Sequence, residues 1–413
     1  MKGQEVARNI LLFAVVCSAC LVAGEYVVRW VAPQDLIRPN RQIWRPDNEI
    51  GWRHVEGTDT RINTGERTVR FRTDTDGYRI GENAAAAADS ADVQVLLLGD
   101  SFVEATAVPW EQSFTGVLQN LLERRTGLSV RVVNDGVGGW DPNQYLKEAH
   151  IALEKQRYDL GIVFLYLGND LVSQRQDTWS PDIVSERHPF RWPRSLSFRE
   201  MEDALIYPIN DVLKTRSQLW ILAKRSGISV LRRLGLAEDT VPEIYQIAKR
   251  DSLVVWEVTS EIFLDIESQF AQAGTPVLFV LLPQSFQVER EVWQEWIRSA
   301  GVPVDSVDLE LPNHVLADAF ESRGMVLHDA LDYLRVRAQG AEPLYGKVDR
   351  HFSPTGHEAM AEFLLGTIVE SGVLENDLDH SDPDRATVTG SPDSARGSAA
   401  PRDRGPPPHA PAR

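Results

Sequence analysis

Apolar residues along this chain fall into three kinds of run. The first is long: residues 10–24 are uniformly apolar or small, Glu25 interrupts, and the pattern resumes through Tyr26, Val27 and Val28 to Trp30 and Val31. About 20 residues cross the hydrocarbon of a bilayer, so 10–31 is long enough if Glu25 sits near the headgroups. Arg29 suits that border by snorkelling and Trp30 by its amphipathic ring. The second kind is short and nearly continuous, at 93–98, 130–133, 160–167, 276–282 and 325–327. Such runs read as parallel strands buried on both faces. The third has helical spacing, through Phe114, Val117, Leu118, Leu121 and Leu122 and again over 254–270. Strand and helix alternate, which predicts an α/β fold with a central parallel sheet covered on both faces.

Other stretches depart from this rhythm. Residues 33–81 alternate, as in "RTVRFRTDTDGYRI", with Gly and Asp-Gly punctuation that predicts short strands and turns. With the polyalanine stretch 84–88 they make a small β-rich lead-in and linker over 32–90, ahead of a principal domain over 91–375. Within that domain, about 171–248 is rich in Pro, Trp and Phe and then helix-forming over 219–236, a helical insertion of the length that serves as a lid, a binding surface or a local excursion. Residues 376–413 carry too little apolar surface to order themselves and read as a disordered tail. No internal repeat is evident.

Charge and cysteine usage narrow the function. A formal net charge of −17 opposes a nucleic-acid partner, whose phosphates are bound by clustered Lys and Arg. The two cysteines, Cys17 and Cys20, both lie in the first apolar run, so the folded domain has none for a disulfide. Residues 1–9 are a basic n-region with Lys2 and Arg8, and 10–31 reads as a transmembrane anchor or a cleaved signal. The poor cleavage site at Val22-Ala23-Gly24 favours the anchor, and Cys17 stands where a lipoprotein signal at Cys20 wants a leucine-like residue. Lys2 and Arg8 favour an inside N-terminus and a periplasmic or extracellular domain, although Arg29, Arg38 and Arg41 blunt that bias.

The chemistry sits at strand ends. In "VLLLGDSFVEA" an apolar strand delivers Gly99, Asp100 and Ser101 to its C-terminal end, where ligands bind in open α/β sheets. "VVNDGVGGW" puts Asn134, Gly136, Gly138 and Gly139 after the second strand, and "VFLYLGNDL" puts Gly168, Asn169 and Asp170 after the third. "VDRHFSPTGHEAMAEFL" brings Asp349 and His351 on a loop before a helix. Each has a bland reading: glycines end strands, Asn169-Asp170 is a possible helix cap, and His351 a surface histidine. Their joint order at strand ends is what chance does not supply. His150, His188, His328 and His357 have no metal-binding spacing. His357, after Gly356 at a helix start, reads as a cap or packing residue, and Trp179 and Trp192 as packing of the insertion.

Over roughly residues 93–370 these blocks resemble the SGNH/GDSL hydrolase superfamily. Gly99-Asp100-Ser101 looks like its first block, Gly139 its second, Gly168-Asn169-Asp170 its third, and Asp349 with His351 its last. The resemblance implies a flavodoxin-like three-layer α/β/α sandwich in which Ser101 attacks an ester carbonyl, His351 shuttles the proton and Asp349 orients the imidazole. It also implies an oxyanion hole from the amides of Ser101 and Gly139 and the side chain of Asn169, with no cofactor and no metal. Only Arg350 separates Asp349 from His351, a spacing similar to that of polysaccharide O-acetyltransferases in the superfamily. The expectation is a membrane-anchored esterase removing small acyl groups, acetyl first, from an ester substrate such as an acylated carbohydrate. The alternatives are an acyltransferase with the same triad and a non-catalytic carbohydrate-binding module, against which the intact triad counts. The sequence carries no signal of an oligomer.

Overall fold

The computed structural model describes residues 2–34, 43–64, 67–82, 91–171, 213, 216–233, 248, 256–291, 293–294, 297, 307–346 and 350–374. Most of the expected insertion, the expected tail and Asp349 lie outside the described residues.

Five apolar runs pair into one sheet: β5 (Val93–Gly99), β6 (Val130–Gly136), β7 (Leu160–Tyr166), β8 (Val277–Leu282) and β9 (Leu327–Asp329), in the order β6-β5-β7-β8-β9 with every neighbour parallel. The first of these strands thus lies inside the sheet, with its successors on both sides. That is the flavodoxin-like order, whose switch point lies between β5 and β7. Side chains alternate along each strand, so Leu96, Leu98, Val163, Leu165, Phe279 and Leu281 face one buried cluster. Val95, Leu97, Ile162, Phe164, Val280 and Leu282 face the other. Four long helices cover the sheet. α3 (Phe114–Thr126) packs beside the C-terminal helix Pro354–Ser371 on the second face. α4 (Pro142–Lys155) packs beside the helix Trp256–Ala273 on the first. Numbered in chain order with α3 and α4, the other described α-helices are α1 (Lys2–Val31), α2 (Ser101–Glu104), α5 (Gln218–Arg233), α7 (Ser285–Val288), α8 (Leu311–Glu321) and α9 (Leu331–Arg337), and the two partner helices above are α6 (Trp256–Ala273) and α10 (Pro354–Ser371).

The last strand starts two residues later than its apolar run. Gly324 turns left-handed (φ 78°) and the Met325 N–H bonds Phe320 O at 3.1 Å, so Met325 closes α8 before the chain reaches β9.

The lead-in forms two antiparallel pairs, β1 (Trp44–Asp47) with β2 (Gly51–His54) and β3 (Asp59–Asn63) with β4 (Thr68–Arg72). Its own core is only Ile43, Ile62, Val69 and Phe71, too small to hold it alone. It is fastened to the α/β domain by Ile50, Trp52 and Tyr78, which are buried in that domain's first cluster, and by polar contacts. The Arg79 N–H bonds Asn134 O on the edge strand β6, Gln144 Nε2 donates to Ile50 O at 2.9 Å, and Arg53 pairs with the buried carboxylate of Glu148.

Gln4–Val31, within α1, is long and apolar enough to cross a membrane. Most of its large apolar side chains are outward, Trp30 at 90% exposure, while Val28 is buried. Glu25 faces the first turn of α5, accepting from Ser217 Oγ (2.7 Å), Gln218 N (3.0 Å) and Leu219 N (3.0 Å), and Arg29 bonds it from the next turn of α1. Gly24 lets the helices approach, since a Cβ there would stand 3.2 Å from Leu219 Cδ2.

Two glycines predict opposite responses to the same change. Gly161, the second residue of β7, lies under Phe270 of α6: a Cβ would come within 2.1 Å of the ring. Gly161→Ala therefore forces the ring aside and should cost about 1–3 kcal/mol. Gly366, in α10 with open space where a Cβ would project, should gain about 0.5–1 kcal/mol on becoming Ala, through helix propensity. Urea midpoints of the two variants should move in opposite directions, and a shift of the same sign would refute the packing assignment.

Candidate active site

The nucleophile candidate is held by a very short helical turn. β5 ends at Gly99, where a Cβ would stand 2.4 Å from Val103 Cγ2, so only glycine lets α2 fold back across the strand end. Asp100 caps that turn, its Oδ1 accepting from Phe102 N at 2.9 Å. Ala105 ends it in the left-handed region (φ 56°). Ser101 thus stands at the first helical position at the C-terminal edge of the sheet. Its Oγ is 2.7 Å from His351 Nε2, the distance at which a hydroxyl donates to a neutral imidazole. Asp100 Oδ2 is 3.5 Å away, too far to compete.

His351 comes from the loop before α10, 250 residues later in sequence. The Gly346 N–H bonds its carbonyl at 2.7 Å, and its ring packs 4.8 Å from that of Phe102. Arg350 before it is left-handed (φ 62°), with its guanidinium 3.7 Å from Glu289 and 5.8 Å from the Phe286 ring. The structure brings Ser101 and His351 into direct contact. Asp349 lies outside the described residues.

The two remaining candidates lie on the neighbouring strand-end loops. Gly139 (φ 80°) is the third residue of a turn closed by Trp140 N–H to Val137 O at 3.1 Å. That turn is tied to β5 by Val137 N–H to Gly99 O at 3.1 Å. Asn169 follows β7, its Nδ2 donating weakly to Trp140 O at 3.4 Å, and its Oδ1 is buried without a partner among the described residues. No backbone or side-chain acceptor among the described residues takes the N–H of Ser101 or of Gly139. Both residues are partly exposed, so these two amides are open to a ligand or to solvent.

Beneath these groups lie two buried carboxylates. Asp170 accepts from Tyr145 Oη at 3.0 Å and from Tyr166 N at 2.8 Å, and so fixes the turn that carries Asn169. Burial, and then the nearby charge of Asp100, pushes its carboxyl well above the usual range. Asp100 is likewise pushed up by burial, to about 6, against the pull of the Phe102 N–H and of His351.

Sequence reading missed the layer behind α2. Glu104, 1% exposed, accepts from Trp44 Nε1 at 2.7 Å and bonds His54 Nε2 at 2.8 Å. The Arg79 guanidinium, fully buried, donates to Glu104 O, Ala105 O and Val108 O at 2.6–2.7 Å. Burial lowers its pKa to about 10, which leaves it charged at neutral pH. The only sequence signal was an arginine in an otherwise strand-like "GYRI". His357 turned out to be buried, its Nδ1 accepting from Phe114 N at 3.2 Å at the start of α3, with burial pulling its pKa well down. Neither a cavity of about 850 Å³ beside Arg350 nor one of about 690 Å³ between the lead-in and α3 includes Ser101 or His351 in its lining.

The Asp100 shift has a measurable sign. With a carboxyl at about 6 in the fold against an ordinary 3.8, the folded chain holds a proton that the unfolded chain has lost between those values. The associated stability is present below about pH 4 and is lost as pH rises to about 6. Asp100→Asn keeps an oxygen for the Phe102 N–H and removes the titration. Its stability relative to wild type should therefore improve from pH 4 to pH 7 by on the order of 1–3 kcal/mol, read from urea unfolding at each pH. A difference independent of pH would contradict the assignment.

No family model matches the chain, and no curated protein does. Similar solved structures include a member of the lipolytic protein G-D-S-L family from Veillonella parvula, at 11% identity, 67% of this chain, 98% of that chain and TM-score 0.34. A catalytic mutant of an acetylxylan esterase from Geobacillus stearothermophilus matches at 10% identity, over 68% of this chain and 95% of that one, with TM-score 0.37. An alpha/beta hydrolase enzyme from the metagenome of Lake Arreo, Spain, matches at 12% identity, 69% and 97% coverage and TM-score 0.37.

Proposed function

We propose that this chain is a serine esterase of the SGNH/GDSL type, held in a membrane by α1 with its α/β domain on the exported side. The observation that carries the reading is the 2.7 Å approach of Ser101 Oγ to His351 Nε2 at the strand ends, next to two backbone amides without acceptors. In this mechanism the Ser101 hydroxyl gives its proton to His351 Nε2 as Oγ attacks the ester carbonyl. The negative charge that develops on the carbonyl oxygen is met by the N–H groups of Ser101 and Gly139 and by Asn169 Nδ2. The leaving alcohol takes the proton from His351, and water repeats the sequence to release the acid. Asp349 is assigned to the imidazole as its orienting carboxylate.

The acyl group we assign is small, acetyl first, on a carbohydrate. A second reading is transfer to a sugar hydroxyl in place of water, and the Asp349-Arg350-His351 spacing favours keeping it. Acetylated polysaccharide incubated with the full chain and a free sugar separates them: free acetate supports hydrolysis, an acetylated sugar supports transfer, and neither product would sink both.

Retention of α1 is supported by Glu25. A signal cleaved near Gly24 would leave that carboxylate at a new N-terminus, whereas here it takes the N-terminal amides of α5. Fractionation tests it: full-length protein should stay with membranes through alkaline extraction, and a soluble product beginning near residue 25 would mean cleavage.

The division of labour predicts an ordered mutant series. Ser101→Ala should abolish labelling by an organophosphonate probe and lower turnover by orders of magnitude, and His351→Ala should cost nearly as much, because such residues act as a unit. Asp349→Asn should cost about 10⁴, and Asn169→Ala about 10²–10³, since one oxyanion donor is lost and two remain. Full ester hydrolysis by Ser101→Ala would overturn the serine mechanism.

A further inference from the structure

The loop that carries Gly139 contains an unused peptide whose orientation one lead-in side chain controls. Val137 to Trp140 form a four-residue turn, closed by Trp140 N–H to Val137 O at 3.1 Å. Gly139 has φ 80° while Gly138 is not left-handed, which makes it a type II turn. In that turn the central peptide, the C=O of Gly138 and the N–H of Gly139, stands across the turn plane and takes no part in the closing bond. Type I is the same turn with this peptide flipped. The two groups of a trans peptide point in opposite directions, and no described peptide bond is cis. Whatever binds the Gly138 carbonyl therefore decides where the Gly139 N–H points.

The Gly138 carbonyl is bound by Trp52. Its indole Nε1–H donates to Gly138 O at 3.0 Å in a buried contact, and the ring is 4% exposed. The bond is reciprocated, because Trp140 Nε1–H donates to Trp52 O at 2.9 Å. Gln144 Nε2, bonded to Ile50 O, holds the β1–β2 pair against the start of α4. An N–H whose own peptide carbonyl accepts a hydrogen bond is also polarised into a better donor.

We propose that Trp52 is a positioning residue for the oxyanion hole: its indole N–H locks the Gly138–Gly139 peptide with the Gly139 N–H turned outward, toward the oxygen that becomes negative during acyl transfer. Flipping that peptide would present a carbonyl oxygen where a donor is needed. The inference rests on the serine esterase reading above. Trp52 touches no reacting atom and acts through the peptide alone.

The test uses the full chain in detergent with p-nitrophenyl acetate, and normalises rates to active sites titrated by an organophosphonate. Trp52→Phe keeps the ring and removes the N–H. It should lower kcat per titrated site by about 10- to 100-fold while KM stays within about twofold, because the interaction tightens only as charge develops. Gln144→Met loosens the same strap without touching the peptide, and should lower Tm while leaving kcat per titrated site near wild type. A Trp52→Phe enzyme with wild-type kcat per site, or one changed only in KM, would overturn the proposal. So would an equal fall in kcat for both variants, which would make Trp52 a structural strap. Ser101→Ala in the same assay separates the two levels: if it remains active the esterase mechanism itself fails, whereas an inactive Ser101→Ala beside an unimpaired Trp52→Phe sinks only the role of Trp52.

Discussion

The guanidinium of Arg79 ties the Ser101 turn to the lead-in. A buried cation carries a desolvation penalty of several kcal/mol, and here it is offset by carbonyls that all belong to residues 104–108, at the end of the Ser101 turn and just beyond it. Hydrogen bonds to a charged group contribute about 1.5–3 kcal/mol each, so three of them are of the right size to keep the charge inside. The dependence runs both ways. The turn α2, with only four residues, has little helical stability of its own, and Arg79 satisfies the carbonyl of its last residue, Glu104, and those of Ala105 and Val108 beyond it. Arg79 in turn has no other described acceptors, so unwinding 104–108 would strand its charge.

The lead-in is thus part of the site's support. Trp44 and His54 hold the Glu104 side chain while Arg79 holds its backbone, and Trp52 reaches the neighbouring loop. These contacts converge on the two loops whose amides are left without acceptors. A four-residue apolar core suffices for such an element because Ile50, Trp52 and Tyr78 share the first cluster of the α/β domain and because the polar contacts that join the two are directional.

The parallel strands and the helices α3 and α6 were legible because burial on both faces leaves a continuous apolar run and one-sided burial leaves a helical stripe. Ser101, Gly139 and Asn169 were legible as residues that follow strands, and His351 as a loop residue before a helix. What could not be read was anything set by pairing across long separations. Trp52 meets Gly138 across 86 residues and Arg79 meets Glu104 across 25, and neither contact leaves a local period. The late start of β9 was missed for a smaller reason: Met325 is apolar because it packs under α8, and an apolar run does not say where a strand's hydrogen bonds begin. Glu25 looked like an interruption of an apolar helix, since its partners Ser217, Gln218 and Leu219 lie more than 190 residues away.

That separation also has a meaning in time. Ribosomes add about 5–20 residues per second, so Glu25 emerges about 10–40 seconds ahead of Gln218, 193 residues downstream. Throughout that interval the amides that finally receive its carboxylate do not yet exist. Arg29 does, one helical turn away on the same segment and 2.8 Å from Glu25 in the finished fold. The Glu25–Arg29 pair is therefore a provisional partnership as well as a final one, shielding the charge in the nascent chain until α5 is made and docks.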